Sequence, residues 1–305
     1  MHPICRDIVS KYTNKTLKKI VNVFQVQFKD FKAPGFGDYI RGCFCMMQLI
    51  HTVNKYCGTH LIFEMDLRNH LMSKWIEVDS YDSSIEYKSI GNFHIDVLKV
   101  PQDESTVLFQ HILRQSTEYF NKIQTEIFYC FCCKYEVYDE IRNSDKEYIR
   151  SFLKPNAEMQ SLIHTTLNSF GLKAKEYSVL HIRRKDEESF PPTKLSTEDL
   201  DRSYEFVKKY YDFDKDTLLI TNHNDIKRFY TTKSHPKLHI QIGEICHVGQ
   251  DQNQSENQVR DTLLDFFLLA NAKEIIAFSA YGHGTGFSQE CAKLYNVPHT
   301  LIKLT

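Results

Sequence analysis

Arg183 and Arg184 stand side by side in the hexamer HIRRKD, residues 181–186, directly after the apolar run at 177–180. Such a run predicts a buried strand. The carboxyl end of a parallel strand is where open α/β sheets bind ligands. Two guanidinium forks at that end suit the oxygens of a diphosphate, because each fork gives paired hydrogen bonds. The plainer reading is a strand that ends in a solvated charge cluster.

Three more segments of the same half fall at the carboxyl ends of predicted strands. These are residues 222–225, Glu244, and the loop 279–288, with Gly282, Gly284 and Gly286. The loop runs into a predicted helix at 287–295, so backbone N–H groups of residues 285–289 can face an anion. The glycines alone say little, since loops favour glycine. Their meeting with the arginines on one sheet edge is what points to an anionic ligand.

Metal chemistry has weaker support. Asp199-Leu200-Asp201 lies in a predicted helix, and Asp212-Phe213-Asp214 precedes a strand rather than following one. Both read as helix-surface or turn carboxylates. Cys130, Cys132 and Cys133 sit among aromatics without a nearby histidine pair, and read as buried structural thiols.

Composition sets the frame. The 305 residues suffice for one large or two medium domains. Hydrophobic residues make up 42% and charged residues 25%, as in ordinary globular proteins. The net charge of -1 lacks the basic excess of a nucleic-acid binder. No apolar run approaches the roughly 20 residues of a membrane span, and the N-terminal stretch lacks the apolar core of a signal peptide. Nine cysteines, an odd count without zinc-finger spacing, suggest reduced thiols and a cytoplasmic protein.

The elements that must position these residues alternate. Strands are predicted at 19–28, 60–65, 93–100 and 126–138, with helices at 39–56 and 107–119. The polar stretch 143–158 places a domain boundary, giving an N-terminal domain 1–150 and a C-terminal domain 151–305. In the second, helices at 157–170, 196–211, 225–230, 259–272 and 287–295 alternate with strands at 177–183, 217–221, 238–242, 274–279 and 299–302. That order predicts an α/β fold with two Rossmann-like, doubly wound domains facing a cleft. His51, inside an apolar helix, reads as a structural partner, and Trp75 as core. His223, after the strand 217–221, is placed near a base.

HIRRKD resembles the HxRRxD motif of the GT-B-fold fucosyltransferase superfamily, which contains the α1,2-, α1,6- and protein O-fucosyltransferases. LLDFFLLANAKEIIAFSAYGHGTGFSQECAKLY is similar to that family's acidic helix, short strand and following helix start. KAPGFGDYIRG resembles its N-terminal glycine-rich loop. The resemblance implies an inverting, metal-independent transferase that moves fucose from GDP-fucose to a hydroxyl of a glycan or protein, with no cofactor. It implies that Arg183 contacts the β-phosphate, Arg184 supports the site, His181 lines the guanine–ribose pocket, and Asp186 holds the arginine loop. Asp225, or Asn222 in its place, would accept from guanine. Ser288 and Gln289 would contact phosphate, and Gly35, Phe36 and Gly37 would approach the sugar or diphosphate. An inverting reaction also calls for a general base. Asp38, Glu187 and Glu188 are the candidates, each also readable as a solvated carboxylate. Another nucleotide sugar as donor, or a catalytically silent binding protein, stays open.

Overall fold

The computed structural model describes residues 16–304 except 25–26, 29–30, 33–34, 86, 88–89, 94, 96–98, 101–102, 104, 186–192, 250–252 and 283. β1 (Lys19–Val23) is buried from Ile20 onward, as its apolar sequence dictates. A short antiparallel hairpin follows, β2 (Gln27–Phe28) and β3 (Phe31–Lys32). β4 (Ile62–Asp66), β5 (Gly91–Asn92) and β6 (Ile127–Phe131) complete a parallel sheet in the order β4-β1-β6-β5. The second sheet comprises β7 (Ser178–Arg183), β8 (Thr217–Thr221), β9 (Leu238–Ile240), β10 (Glu274–Ser279) and β11 (His299–Lys303). It is also parallel, in the order β11-β10-β7-β8-β9.

Backbone contacts divide the chain into two units. Unit 1 holds residues 1–25, 38–73 and 79–152; unit 2 holds 26–37, 74–78 and 153–305. The helices are α1 (Phe36–Cys57), α2 (Val107–Asn121), α3 (Asn143–Phe152), α4 (Ala157–Ser169), α5 (Thr197–Tyr210), α6 (Asn224–Thr231), α7 (Glu256–Ala270) and α8 (Gly286–Tyr295). Their starts follow their caps. Thr106, Asn156, Ser196 and Ser255 each accept a first-turn N–H, and Ser255 with Gln258 forms a reciprocal capping box.

Several expectations shift in detail. α1 begins at Phe36 rather than residue 39 and runs through Gly37. β1 stops at Val23, well short of 28. Residues 143–152, expected only as part of a polar boundary stretch, form α3, because Asp145, Ile149 and Phe152 share one buried face. The strand expected at 93–100 falls largely outside the described residues. Cys57 is disulfide-bonded, against the expectation of uniformly reduced thiols. Cys130 and Cys132 are buried, as expected of structural thiols, while Cys133 is only half-buried, against that expectation. His51 pairs with buried Asp145 at 2.9 Å, and Trp75 is core at 5% exposure.

Residues 74–78 belong to unit 2 by their hydrogen bonds. Asn156 N–H donates to the Trp75 carbonyl at 3.0 Å, and Glu77 N–H to the Lys154 carbonyl at 2.8 Å. The Asn156 side-chain amide donates to the Lys74 carbonyl at 2.7 Å, and Ile76 bridges Pro155. No described helix is long and apolar enough to cross a membrane.

Candidate functional site

Strand register decides what meets in unit 2. β10 pairs with β7 so that Ser279 lies opposite Arg183, and β8 pairs so that Thr221 lies opposite Ile182. Three strands therefore end level, and the residues just beyond them, Arg184, Asn222 and Ala280, share one carboxyl edge. Arg183 and Arg184 are half-buried there. The Arg183 guanidinium lies 5.9 Å from the Tyr281 ring centre, and the Arg183 carbonyl accepts from Ala280 N–H at 3.0 Å.

Asn222 grips the arginine loop by its backbone. Its carboxamide oxygen accepts from Arg184 N–H at 2.8 Å, and its NH2 donates to the Arg184 carbonyl at 3.0 Å. Asp225 accepts from Leu195 N–H at 3.0 Å and pairs with Arg228 at 3.1 Å. His223 caps α6: Nδ1 accepts from Asp225 N–H at 3.2 Å, leaving Nε2 to donate to the Thr193 carbonyl at 3.0 Å. Asp186, Glu187, Glu188 and His283 lie outside the described residues.

Behind the arginines sits a buried polar cluster. His181 Nδ1 is 2.8 Å from Ser288 Oγ, which also contacts Thr285 Oγ1 at 2.9 Å and His299 Nε2 at 3.1 Å. Burial, with Arg183 and His299 nearby, pushes His181 down to about 3. Burial and Lys293 push His299 to about 4. Both imidazoles are therefore neutral near pH 7, and a neutral pair can sit near the Arg183 guanidinium without adding repulsion. Ser288 is fully buried inside this cluster.

The start of α8 is open. Thr285 Oγ1 caps Ser288 N–H at 3.3 Å, and the Thr285 carbonyl takes Gln289 N–H at 3.0 Å. Among the described residues, the amides of Gly286 and Phe287 have no acceptor. Gly284 enters this turn at φ 95°, a conformation that favours glycine. The first residues of α1 join α8 here, within unit 2. A Cβ on Gly37 would lie 2.3 Å from the carbonyl carbon of Gly286 and 2.6 Å from Phe287 N. Phe36 packs edge-on to Phe266, 5.0 Å between ring centres, and Gly35 lies just before the helix, half-buried. Two helix N-termini thus abut, each carrying about half a positive charge. Such an approach is repulsive until an anion occupies it.

One carboxylate escaped the sequence reading. Asp265 of α7 is 3% exposed, its Oδ1 has no partner, and Lys227 stands 3.9 Å from Oδ2. Burial raises its pKa to about 6, against the pull of Lys227. The Lys227 ammonium also donates to the Gly243 carbonyl at 3.3 Å, beyond β9, on the same edge. The signal was present: an acid inside the apolar run LLDFFLLA.

In unit 1, Asp38 faces Arg41 at 3.0 Å, with one third of its side chain exposed. Asp79, unremarkable in sequence, accepts from Leu67 N–H at 2.8 Å beside the Asp66–Arg68 pair, and burial lifts it to about 6. Asp199 and Asp201 lie on α5, and Asp214 N–H bonds Asp212 in a turn at 2.9 Å, matching the reading of both as structural.

Two parallel sheets flanked by helices, the second with an arginine pair and an open helix start at its carboxyl edge, make this an α/β protein of the doubly wound kind. The chain is similar to NodZ α-1,6-fucosyltransferase soaked with GDP-fucose, with TM-score 0.50 and 13% identity over 94% of this chain and 95% of that one. It is similar to fucosyltransferase NodZ from Bradyrhizobium, with TM-score 0.51 and 12% identity over 95% of each chain. FUT1 of Arabidopsis thaliana in complex with GDP gives TM-score 0.51 and 9% identity, over 97% of this chain and 73% of that one. At these identities the likeness is one of fold. No family model and no curated protein matches the sequence.

Proposed function

We propose that the protein is an inverting, metal-independent fucosyltransferase that uses GDP-fucose. The observation that carries this reading is the abutment of the α1 and α8 N-termini, with α8 following β10, whose last residue pairs with Arg183. As the glycosidic bond breaks, negative charge grows on the leaving diphosphate, and fixed donors lower the barrier by meeting it. Two guanidinium groups and the amides of Gly286 and Phe287 supply such donors without a divalent ion. Each charge-assisted bond contributes about 1.5–3 kcal/mol.

The remaining roles follow from what each group is bonded to. Arg183 contacts the β-phosphate, and Asn222 fixes the backbone of Arg184 rather than reading the base. The free oxygen of Asp265 suits the two N–H groups on the guanine edge better than Asp225, whose carboxylate is engaged twice. His181 and Ser288 form a neutral floor. In the transfer step the acceptor hydroxyl gives its proton to a carboxylate base and its oxygen bonds the anomeric carbon. The bond from that carbon to the β-phosphate oxygen breaks, and its electron pair leaves with GDP.

A thermal-shift panel of GDP, UDP, ADP and CDP, each with and without Mg2+, tests the donor. Stabilisation by GDP alone, without Mg2+, is expected, about 2.7 kcal/mol at a ligand concentration a hundred times Kd. Selective stabilisation by UDP, or a strict Mg2+ requirement, overturns the reading. GDP release on mixing donor with acceptors separates an enzyme from a silent binder.

A further inference from the structure

Unit 1 carries its own constellation on the carboxyl edge of its sheet, where β6 ends and the chain turns through residues 132–135. α1 lies tight against this turn. A Cβ on Gly42 would fall 1.8 Å from the Cys132 carbonyl oxygen and 2.8 Å from Cys133 N. That approach brings Arg41 over the turn. Its Nε and Nη2 donate to the Cys133 carbonyl at 3.3 and 3.0 Å, and Nη2 meets Asp38 Oδ1 at 3.0 Å. Its guanidinium carbon lies 3.9 Å from the centre of the Tyr135 ring. One arginine, 14% exposed, thus fixes a carboxylate and an aromatic ring at once.

Both fixed groups remain available. Tyr135 is 51% exposed although one ring face is covered by the guanidinium. Asp38 uses Oδ1 on Arg41, and its Oδ2 has no partner among the described residues. A large aromatic ring held flat and half open is costly to leave in water. Its electron-rich face attracts weakly positive C–H groups. The ligand that presents a flat C–H face next to hydroxyls is a pyranose ring. An ion pair alone would explain Asp38 and Arg41; it gives no reason for a half-exposed tyrosine ring stacked on the guanidinium beside them.

We propose that Tyr135, Arg41 and Asp38 form a saccharide-binding site on unit 1. The sugar ring stacks on the open face of Tyr135, a hydroxyl donates to Asp38 Oδ2, and Arg41 is the positioning residue for both. The binding claim stands by itself and does not depend on the transferase reading above. The ligand class is a saccharide, not a serine or threonine side chain.

Saturation-transfer NMR on the whole protein tests this. The probes are methyl glycosides of galactose, glucose and N-acetylglucosamine, with N-acetylthreonine amide as comparison and GDP in the same tube. At least one glycoside is expected to receive saturation, and the threonine amide none. Tyr135→Ala should abolish the glycoside signal and leave that of GDP intact, while Tyr135→Phe keeps both. Arg41→Met, which frees both the ring and the carboxylate, should weaken the glycoside signal and leave that of GDP unchanged, and Arg41→Lys should recover part of it. No glycoside signal in the wild type, or an undiminished one in Tyr135→Ala, overturns the subsite. Failure of GDP alone to give a signal counts against the donor reading and not against this one.

Discussion

Gly37→Ala is the sharpest probe of the abutting helix starts. The new methyl would sit 2.3 Å from both the carbonyl carbon and oxygen of Gly286. Ordinary carbon contacts lie near 3.5–4.0 Å, so the two backbones must part by more than about 1 Å. Overpacking of this kind costs about 1–3 kcal/mol. The better helix propensity of alanine returns at most about 1 kcal/mol, and the clash wins because backbone atoms, unlike a side-chain tip, cannot swing away. At about 2–4 °C per kcal/mol for units of this size, the midpoint should fall roughly 2–8 °C. GDP should bind about 10- to 100-fold more weakly, equivalent to losing one charge-assisted bond. Differential scanning fluorimetry with and without GDP reads both effects. Gly282→Ala is the control: its methyl would meet only Lys303 Nζ, at 3.9 Å, and should change neither. If Gly37→Ala matches that control in midpoint and GDP shift, the diphosphate does not sit where the helices meet.

Arg183→Lys keeps a charge but loses the fork. It should fold normally and lose about 100-fold or more in transferase turnover, read as GDP release. Asn222→Ala should weaken GDP without touching it, since both bonds to the Arg184 backbone vanish; Asn222→Asp keeps the acceptor and should lie between, by isothermal titration. Acid should expose the buried imidazoles. His181 and His299 have folded pKa values of about 3 and 4, below the ordinary 6.5, so their contribution is present above 6.5 and lost as pH falls toward those values. Each costs about 1.4 kcal/mol per pH unit within that window. Asp265 works in the opposite sense. Its folded pKa of about 6 lies above 3.8, so its contribution is full below 3.8 and lost as pH rises through 6. Urea midpoints from pH 8 to 5 should therefore fall more steeply in Asp265→Asn than in the wild type, and less steeply in His299→Asn.

Much of this was legible in the sequence because apolar periodicity and caps agree. Strands 217–221 and 274–279 are apolar runs bounded by polar turns, and both lie where they were expected. Segment 143–152 misled because two buried apolar side chains in ten residues carry little hydrophobic signal; only packing reveals that they share a face with Asp145. The arginine pair and glycine loop could be read from residue type and strand polarity. What Asn222 does could not, since an amide beyond a strand serves a base or a backbone equally well, and the register of β7 on β8 decides. Tyr135 and Arg41, 94 positions apart, meet only because Gly42 lets a helix descend onto a distant turn.

The interleaving of the two units bears on how the chain can be cut. It passes from one unit to the other at 25/26, 37/38, 73/74, 78/79 and 152/153. A gene divided after codon 152 would yield a C-terminal half without Gly37 or Trp75, whose segments belong with it. Neither half is then a complete lobe, and mixing the two polypeptides should restore what each lacks only if the segments 26–37 and 74–78 can thread back into place. Recombination that exchanges one unit between relatives would have to carry those two stitches with it.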